Sequence, residues 1–233
     1  MSEHVQSETL PKKALVTLAI GDKTQVWLAL SGPRFASYAA KFGYDYAAIT
    51  ERAINYRLQW HKSRVNIHLE KFQIGPMLET YERIVYFDAD ILLSPECPDL
   101  CTLASRESLG VVADPSGAEA WKRDEEMARM EKKFGKLANP AQPYFNAGVL
   151  VLSRAHRELM RFDPKKLCTG RWPDQTYLNY RSAKLGLPRT YLDSRANFLP
   201  GHDGWRDPDI RKAAWAAHYA GPEAKSAFRE DAT

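Results

Sequence analysis

Short apolar runs alternate with amphipathic stretches along this chain. Residues 13–20 read as a buried first strand, closed by Gly21-Asp22. Residues 25–30 and 34–42 carry helical spacing, separated by Ser31-Gly32-Pro33 and ended by Gly43. Residues 44–49 predict a second strand. Residues 64–80 predict a long amphipathic helix with Ile67, Phe72, Ile74 and Leu78 on its core face. Residues 84–93 form an apolar run broken only by Asp88-Ala89-Asp90, and residues 110–113 make a further strand ending at Asp114. Residues 118–134 predict a highly charged helix with Trp121, Met127, Met130 and Phe134 on one stripe, either a packing face or a lid over an acceptor. After a turn-rich link at 139–143, residues 144–152 read as a strand with small residues where bulk is expected, and a glycine inside a strand marks close approach of a ligand or another backbone. Residues 181–203 alternate irregularly and predict no clear element. Alternating strands and helices predict an α/β domain with a largely parallel sheet. Ligands of such sheets gather at the carboxyl ends of strands, where Asp22, Asp88, Asp90 and Asp114 all fall.

The Asp88-Ala89-Asp90 element carries the most information. If the strand continues through it, period-two alternation puts both carboxylates on one side. Burying an isolated charge is expensive, so a cation should compensate them. A hard divalent ion such as Mg²⁺ or Mn²⁺ prefers oxygen ligands of this kind; a strand that has simply ended, with the pair in a turn or against Arg or Lys, is the alternative.

Composition narrows the class. The 233 residues are 44% hydrophobic and 27% charged, ordinary for a globular protein with a substantial core. No stretch approaches the ~20 apolar residues of a membrane span. The net charge of +4 is dispersed, which permits weak attraction to anionic lipid or polyanionic substrates and gives no argument for nucleic-acid binding. Cys97, Cys101 and Cys168 are sparse, and no suitably spaced His completes a zinc site. Free thiols, a reducing compartment and a cytoplasmic location are the simple expectation. Residues 1–12 are polar and read as a flexible tail, residues 13–233 as one domain.

With these blocks in hand, the chain resembles the retaining glycosyltransferases of family 8, which have the GT-A fold and include glycogenins and bacterial lipopolysaccharide glycosyltransferases. The likeness runs from about residue 14 to 225. It rests on Lys71-Phe72, on Tyr86-Phe87-Asp88-Ala89-Asp90, on Tyr144-Phe145-Asn146-Ala147-Gly148-Val149, on Pro173-Asp174-Gln175 with Leu178-Asn179, and on His218-Tyr219-Ala220-Gly221 with Lys225. Each block is common alone; their conjunction and order are not.

The resemblance implies a GT-A, Rossmann-like fold, a mixed and mostly parallel sheet flanked by helices. It implies a nucleotide diphosphate sugar donor, UDP-glucose or UDP-galactose by family habit, and a carbohydrate or glycoconjugate acceptor. It gives Asp88, Asp90 and His218 as metal ligands, and an imidazole beside two carboxylates favours Mn²⁺, with Mg²⁺ as the alternative. Ala19, Ile20, Lys71, Ala89, Asp114, Asn146, Ala147 and Gly148 fall where the family contacts the donor. Gly221 would let backbone approach the phosphates and Lys225 would donate to them. Asp174 falls at the transferred sugar and Gln175 beside its anomeric carbon. An amide is a poor nucleophile, so a front-face internal-return mechanism, in which the leaving phosphate helps deprotonate the acceptor, is expected rather than double displacement.

The chain also departs from the family. Ile20-Gly21-Asp22-Lys23-Thr24 replaces the acidic or amide residues that touch base and ribose, and Ser226-Ala227 replaces a Pro-Trp pair. Without the basic-aromatic tail by which some relatives sit on membranes, only peripheral membrane contact is expected. Two other readings fit parts of the pattern: a non-catalytic sugar-binding module on the same fold, and a nucleotidyltransferase, which would want a Gly-rich phosphate loop after the first strand.

Overall fold

The computed structural model describes residues 12–54, 67–115, 120–138, 142–167 and 170–232. The tail expected at residues 1–12 lies outside them apart from Lys12, as does Cys168. Eight strands are described: β1 (Lys13–Leu18), β2 (Asp45–Ile49), β3 (Arg83–Asp88), β4 (Ile91–Leu93), β5 (Leu109–Ala113), β6 (Phe145–Ser153), β7 (Arg189–Tyr191) and β8 (Ala216–His218). Six form the main sheet in the order β2-β1-β3-β6-β5-β7, and β4 and β8 pair separately. β6 runs antiparallel to both neighbours, while β2, β1 and β3, and likewise β5 and β7, are parallel. The sheet is thus mixed and mostly parallel.

Apolar runs are continuous because both faces of the sheet are covered. Along β3, Ile84 and Tyr86 enter one core with Phe72, Ile74, Met130, Tyr177 and Leu178. Val85 and Phe87 enter the other with Phe35, Tyr38, Ile91 and Leu100. Helices α3 (Ala120–Phe134) and α4 (Pro173–Lys184) serve the first face and α1 (Asp22–Phe42) the second. A third cluster, including Leu92, Trp205, Tyr219 and Phe228, lies against the β4–β8 ribbon. It is completed by α6 (Lys225–Ala232), which follows the short α5 (Pro208–Ala213). Among the described residues no helix is long and apolar enough to cross a membrane.

Four expectations are corrected. The two helices separated at Ser31-Gly32-Pro33 are one, α1, with Pro33 inside it. Pro removes one N–H and disfavours a helix interior, but this helix is held by the buried Phe35, Tyr38 and Ala39. Ser31 Oγ also lies 3.1 Å from Trp27 O and 2.9 Å from Ala89 O. The long helix at 64–80 is a 3₁₀ segment, Ile67–Gln73, running into the single turn α2 (Ile74–Met77). Gly75-Pro76 explains this: Pro cannot continue a ladder, and a Cβ at Gly75 would stand 2.9 Å from Met160 O. The stripe on α3 is also different, since Trp121 is exposed while Glu126 and Met130 are buried.

The fourth correction concerns the carboxylate pair. β3 ends at Asp88, Ala89 and Asp90 form a turn, and β4 departs into the second sheet. Strand alternation therefore does not bring the two aspartates together. The turn does, and Ser31 reaches its Ala89 carbonyl from α1.

Candidate active site

β6 outruns β3 at the carboxyl end of the sheet. Its last partner there is Val149, opposite Phe87, so the edge from Phe145 to Ala147 lacks a strand. Buried backbone groups require partners, and side chains supply them. Asn179 bonds both Phe145 N and Phe145 O, each at 2.9 Å. Gln175 Oε1 accepts from Ala147 N at 3.0 Å, and Lys71 Nζ donates to Ala147 O at 2.9 Å. Residues one helical turn apart on α4 thus act as a substitute strand, fixing Gln175 at the rim.

Lys71 is fully buried beneath the site. Its ammonium lies 3.1 Å from Asp174 Oδ2, 3.5 Å from Asp88 Oδ1 and 4.8 Å from the Tyr86 ring centroid. Burial alone would push the Lys71 pKa down; Asp88 and Asp174 outweigh it, so the value is raised. Burial would likewise raise Asp174, but Lys71 holds its carboxyl below the usual range. Lys71 was expected at the donor and Asp174 at the transferred sugar. In the structure they form an ion pair with each other, 1% and 7% exposed.

Asp88 stands above this pair, its Oδ1 accepting from Tyr86 OH at 2.5 Å. Asp90 follows across the turn. Pairing of Ile91 with His218 in the β4–β8 ribbon sets the imidazole beside the turn, and Tyr219 N donates to Asp90 O at 2.9 Å. His218 Nε2 lies 3.4 Å from Asp90 Oδ1 and 3.9 Å from Asp88 Oδ2. Asp90 Oδ2 is paired with the Lys225 ammonium, which also lies 4.0 Å from the Trp27 ring centroid. Burial would raise the Asp90 pKa; His218 and then Lys225 outweigh it and hold the carboxyl well below the usual range.

Ligand atoms of Asp88, Asp90 and His218 fall within 4.8 Å of one another. Two carboxylate oxygens and one imidazole nitrogen fit a hard-to-borderline divalent cation. The space for the imidazole depends on Gly148, where a Cβ would stand 2.3 Å from His218 Cε1. This is the small residue within β6 that the sequence marked as a close approach.

Asp114 ends β5 on the far side of the cleft. Arg123 Nη2 from α3 lies 2.6 Å from its Oδ1, and Gln175 Nε2 donates to its Oδ2 at 3.2 Å. Burial pushes its pKa up despite both partners. Asn146 Oδ1 accepts from Gly148 N at 2.8 Å and from Asn197 Nδ2 at 3.0 Å, and Asn197 Oδ1 lies 2.8 Å from His218 Nδ1.

The remaining expected residues divide. Ala19 and Ile20 sit where β1 ends beside Asp88, but their side chains are buried, leaving backbone to meet a ligand. Ala89 is buried with its carbonyl bonded by Ser31. Gly221 has φ 84° and open space around its missing Cβ, so bare backbone faces the cleft. An open cleft of about 740 Å³ continues from Gly221 past His202 and Trp205 to Arg206. A cavity of about 790 Å³, lined by Phe72, Arg154 and Phe162 among others, lies beyond the opposite end of β6 and shares no residue with the carboxylate cluster.

Several participants were not singled out from the sequence. Arg123 sits among many charged residues of α3, Asn197 in the stretch without periodicity, and Trp27 and Ser31 in α1. Only Trp27 carried a signal, as an aromatic soon after the first strand.

Nucleotide-sugar-type sheet order, an Asp-turn-Asp at the end of a central strand and a histidine returned by a distal ribbon define a GT-A glycosyltransferase. The chain belongs to glycosyl transferase family 8, whose family model matches residues 43–161, just over half of its length. Solved structures of similar fold include galactosyltransferase LgtC in complex with donor and acceptor sugar analogues, at 20% identity and TM-score 0.57, covering 94% of this chain and 95% of LgtC. An active-site glutamine-to-glutamate variant of LgtC matches at 17% identity and TM-score 0.63, covering 94% and 95%. A glycosyltransferase involved in glycosylation of the major capsid of PBCV-1 matches at 11% identity and TM-score 0.59, covering 95% and 98%. No curated protein sequence gives a significant match.

Proposed function

We propose that this glycosyltransferase transfers a hexose from a nucleotide diphosphate sugar, UDP-glucose or UDP-galactose, to a carbohydrate or glycoconjugate acceptor with retention at the anomeric carbon. The observation that carries this reading is the convergence of Asp88, Asp90 and His218 at one corner with Lys225 beside them. Asp88, Asp90 and His218 would hold Mn²⁺, or alternatively Mg²⁺. The bound ion supplies Lewis-acid stabilisation of the charge that grows on a departing diphosphate.

The chain's own residues do the rest. Lys225 exchanges Asp90 for the diphosphate, and the open backbone at Gly221 lets the phosphates approach. Asn146, Ala147 and Gly148 line the sugar side, with Asp114 accepting from a sugar hydroxyl. Asp174 acts from below: locked to Lys71, it fixes the floor on which Asp88 and the Ala147 carbonyl stand. Gln175 is held at both ends, by Ala147 N and Asp114, so its amide oxygen is engaged rather than free to attack. An engaged amide and a carboxylate locked to lysine leave neither residue as a ready nucleophile. That favours front-face attack, with the acceptor hydroxyl losing its proton to the leaving phosphate as the glycosidic bond breaks. The acceptor approaches along the cleft bounded by His202 and Trp205.

Incubation with a panel of UDP-hexoses and oligosaccharide acceptors, followed by proton NMR of the product's anomeric signal, tests the reading. Retained configuration from one hexose donor is expected. An inverted product, or binding of UDP-sugars with neither transfer nor hydrolysis, would contradict it.

A further inference from the structure

We propose that Asn197 is the positioning residue that sets the tautomer of His218 and aims its Nε2 lone pair at the Asp88–Asp90 corner. Gly148 N is a backbone donor, so the Asn146 atom 2.8 Å away must be the amide oxygen. That oxygen can only accept, so the Asn197 atom 3.0 Å from it must be the NH₂ group. Asn197 therefore presents its own oxygen to the ring, 2.8 Å from Nδ1, and an amide oxygen requires Nδ1–H. With Nδ1–H held by Asn197, Nε2 is the nitrogen that faces Asp90 Oδ1 and Asp88 Oδ2, and its lone pair is the one available to a cation held between it and those oxygens. Histidine ligands commonly have their tautomer fixed by such an outer hydrogen bond.

The geometry is specific to an amide at this position. Asn197 is completely buried. The next residue, Phe198, is clamped to the ribbon: Phe198 N donates to Ala216 O at 2.9 Å and His218 N to Phe198 O at 2.7 Å. Aspartate at 197 would accept from Nδ1–H but would set a carboxylate oxygen against the Asn146 oxygen. The relay also joins the metal corner to Asn146, so the donor-facing amide and the histidine are oriented by one chain of hydrogen bonds starting at Gly148 N.

The inference rests on the proposed metal role of His218 for its consequence, but the tautomer can be read without any metal. Histidine-labelled protein, recorded by long-range ¹H–¹⁵N correlation at a pH where the ring is neutral, should show His218 as the Nδ1–H form in wild type. Asn197→Ala should lose that preference and weaken Mn²⁺ binding, measured by titration calorimetry, by about 10–100-fold. Asn197→Gln, which keeps both amide groups, should recover part of that preference, and Asn197→Asp should keep Nδ1–H while losing the hydrogen bond to Asn146. An Nε2–H ring in wild type overturns the proposal without any variant having to fold. So does unchanged Mn²⁺ affinity in a folded Asn197→Ala. If instead Asp88→Ala binds Mn²⁺ as wild type does, the metal reading fails while the tautomer result stands.

Discussion

Lys225 and Asp90, 135 positions apart in sequence, form an ion pair in which the lysine takes one carboxylate oxygen and His218 faces the other. The ammonium is therefore the counter-ion of a carboxylate proposed to bind metal. Metal and lysine compete for Asp90 until a diphosphate gives the lysine another partner. Lys225→Met should bind Mn²⁺ more tightly than wild type without nucleotide, yet bind UDP in the presence of Mn²⁺ about tenfold or more weakly, a charge-assisted contact contributing ~1.5–3 kcal/mol. Calorimetry in both conditions checks the two signs; weakened Mn²⁺ binding without nucleotide would contradict the competition.

Gly148 makes room for His218. Gly148→Ala drives a methyl into the imidazole, at a stability cost of about 1–3 kcal/mol for overpacking. Urea unfolding should therefore show a folded protein, while Mn²⁺ affinity falls by about tenfold or more because a ligand is displaced. An unchanged affinity would mean the imidazole is not a ligand.

Lys71 and Asp174 form a buried pair whose loss should destabilise strongly. Lys71→Met leaves Asp174 buried without its cation and should cost about 3–5 kcal/mol. The pH dependence follows from the two shifts. Asp174 is lowered, so its contribution is present above its unfolded value near ~3.9 and fades as pH falls through the lower folded value. Lys71 is raised, so its contribution is full below its unfolded value near ~10.4 and fades as pH rises through the higher folded value. The wild-type pair should thus contribute evenly from about pH 5 to 9, whereas in Lys71→Met burial raises the uncompensated Asp174 carboxyl, so the stability difference should be largest at the alkaline end of that range and shrink as pH falls. Denaturation midpoints across that range test it, and a difference that halves by pH 9 would contradict the assigned pair.

Gln175 is proposed to steady the reacting centre without attacking it. Gln175→Ala removes one oriented amide, so kcat should fall by ~10²–10³, the usual effect of losing one transition-state donor. Turnover should stay above background, with configuration retained. Complete loss together with a trapped glycosyl adduct in wild type would establish double displacement instead.

The candidate site was legible in the sequence where it sits in short blocks. Asp88, Asp90, Asn146, Gly148, Asp174, Gln175, His218, Gly221 and Lys225 all lie in contiguous motifs, and the structure brings the two aspartates, His218 and Lys225 to one corner. Of the two readings of that pair, the structure shows the second: alternation belongs to a continuing strand, whereas this one turns at Ala89 and its aspartates meet Lys71 and Lys225. Pattern also over-divided α1 at Pro33, whose disruption is outweighed by buried contacts from Phe35 and Tyr38. Asn197 and Arg123 could not be found this way. Their significance comes from partners 21 and 9 positions away, His218 and Asp114, and no local pattern encodes such a pairing. Antiparallel β6 was missed for a similar reason, since burial on both faces makes parallel and antiparallel strands read alike.

Release of UDP from the UDP-hexose that the enzyme uses, followed with and without Mn²⁺, bears most directly on the central claim. Wild type should release UDP only when the metal is present, and Asp88→Ala and Asp90→Ala should each lose that release while remaining folded. Metal-independent release, or full turnover in both variants, would contradict it.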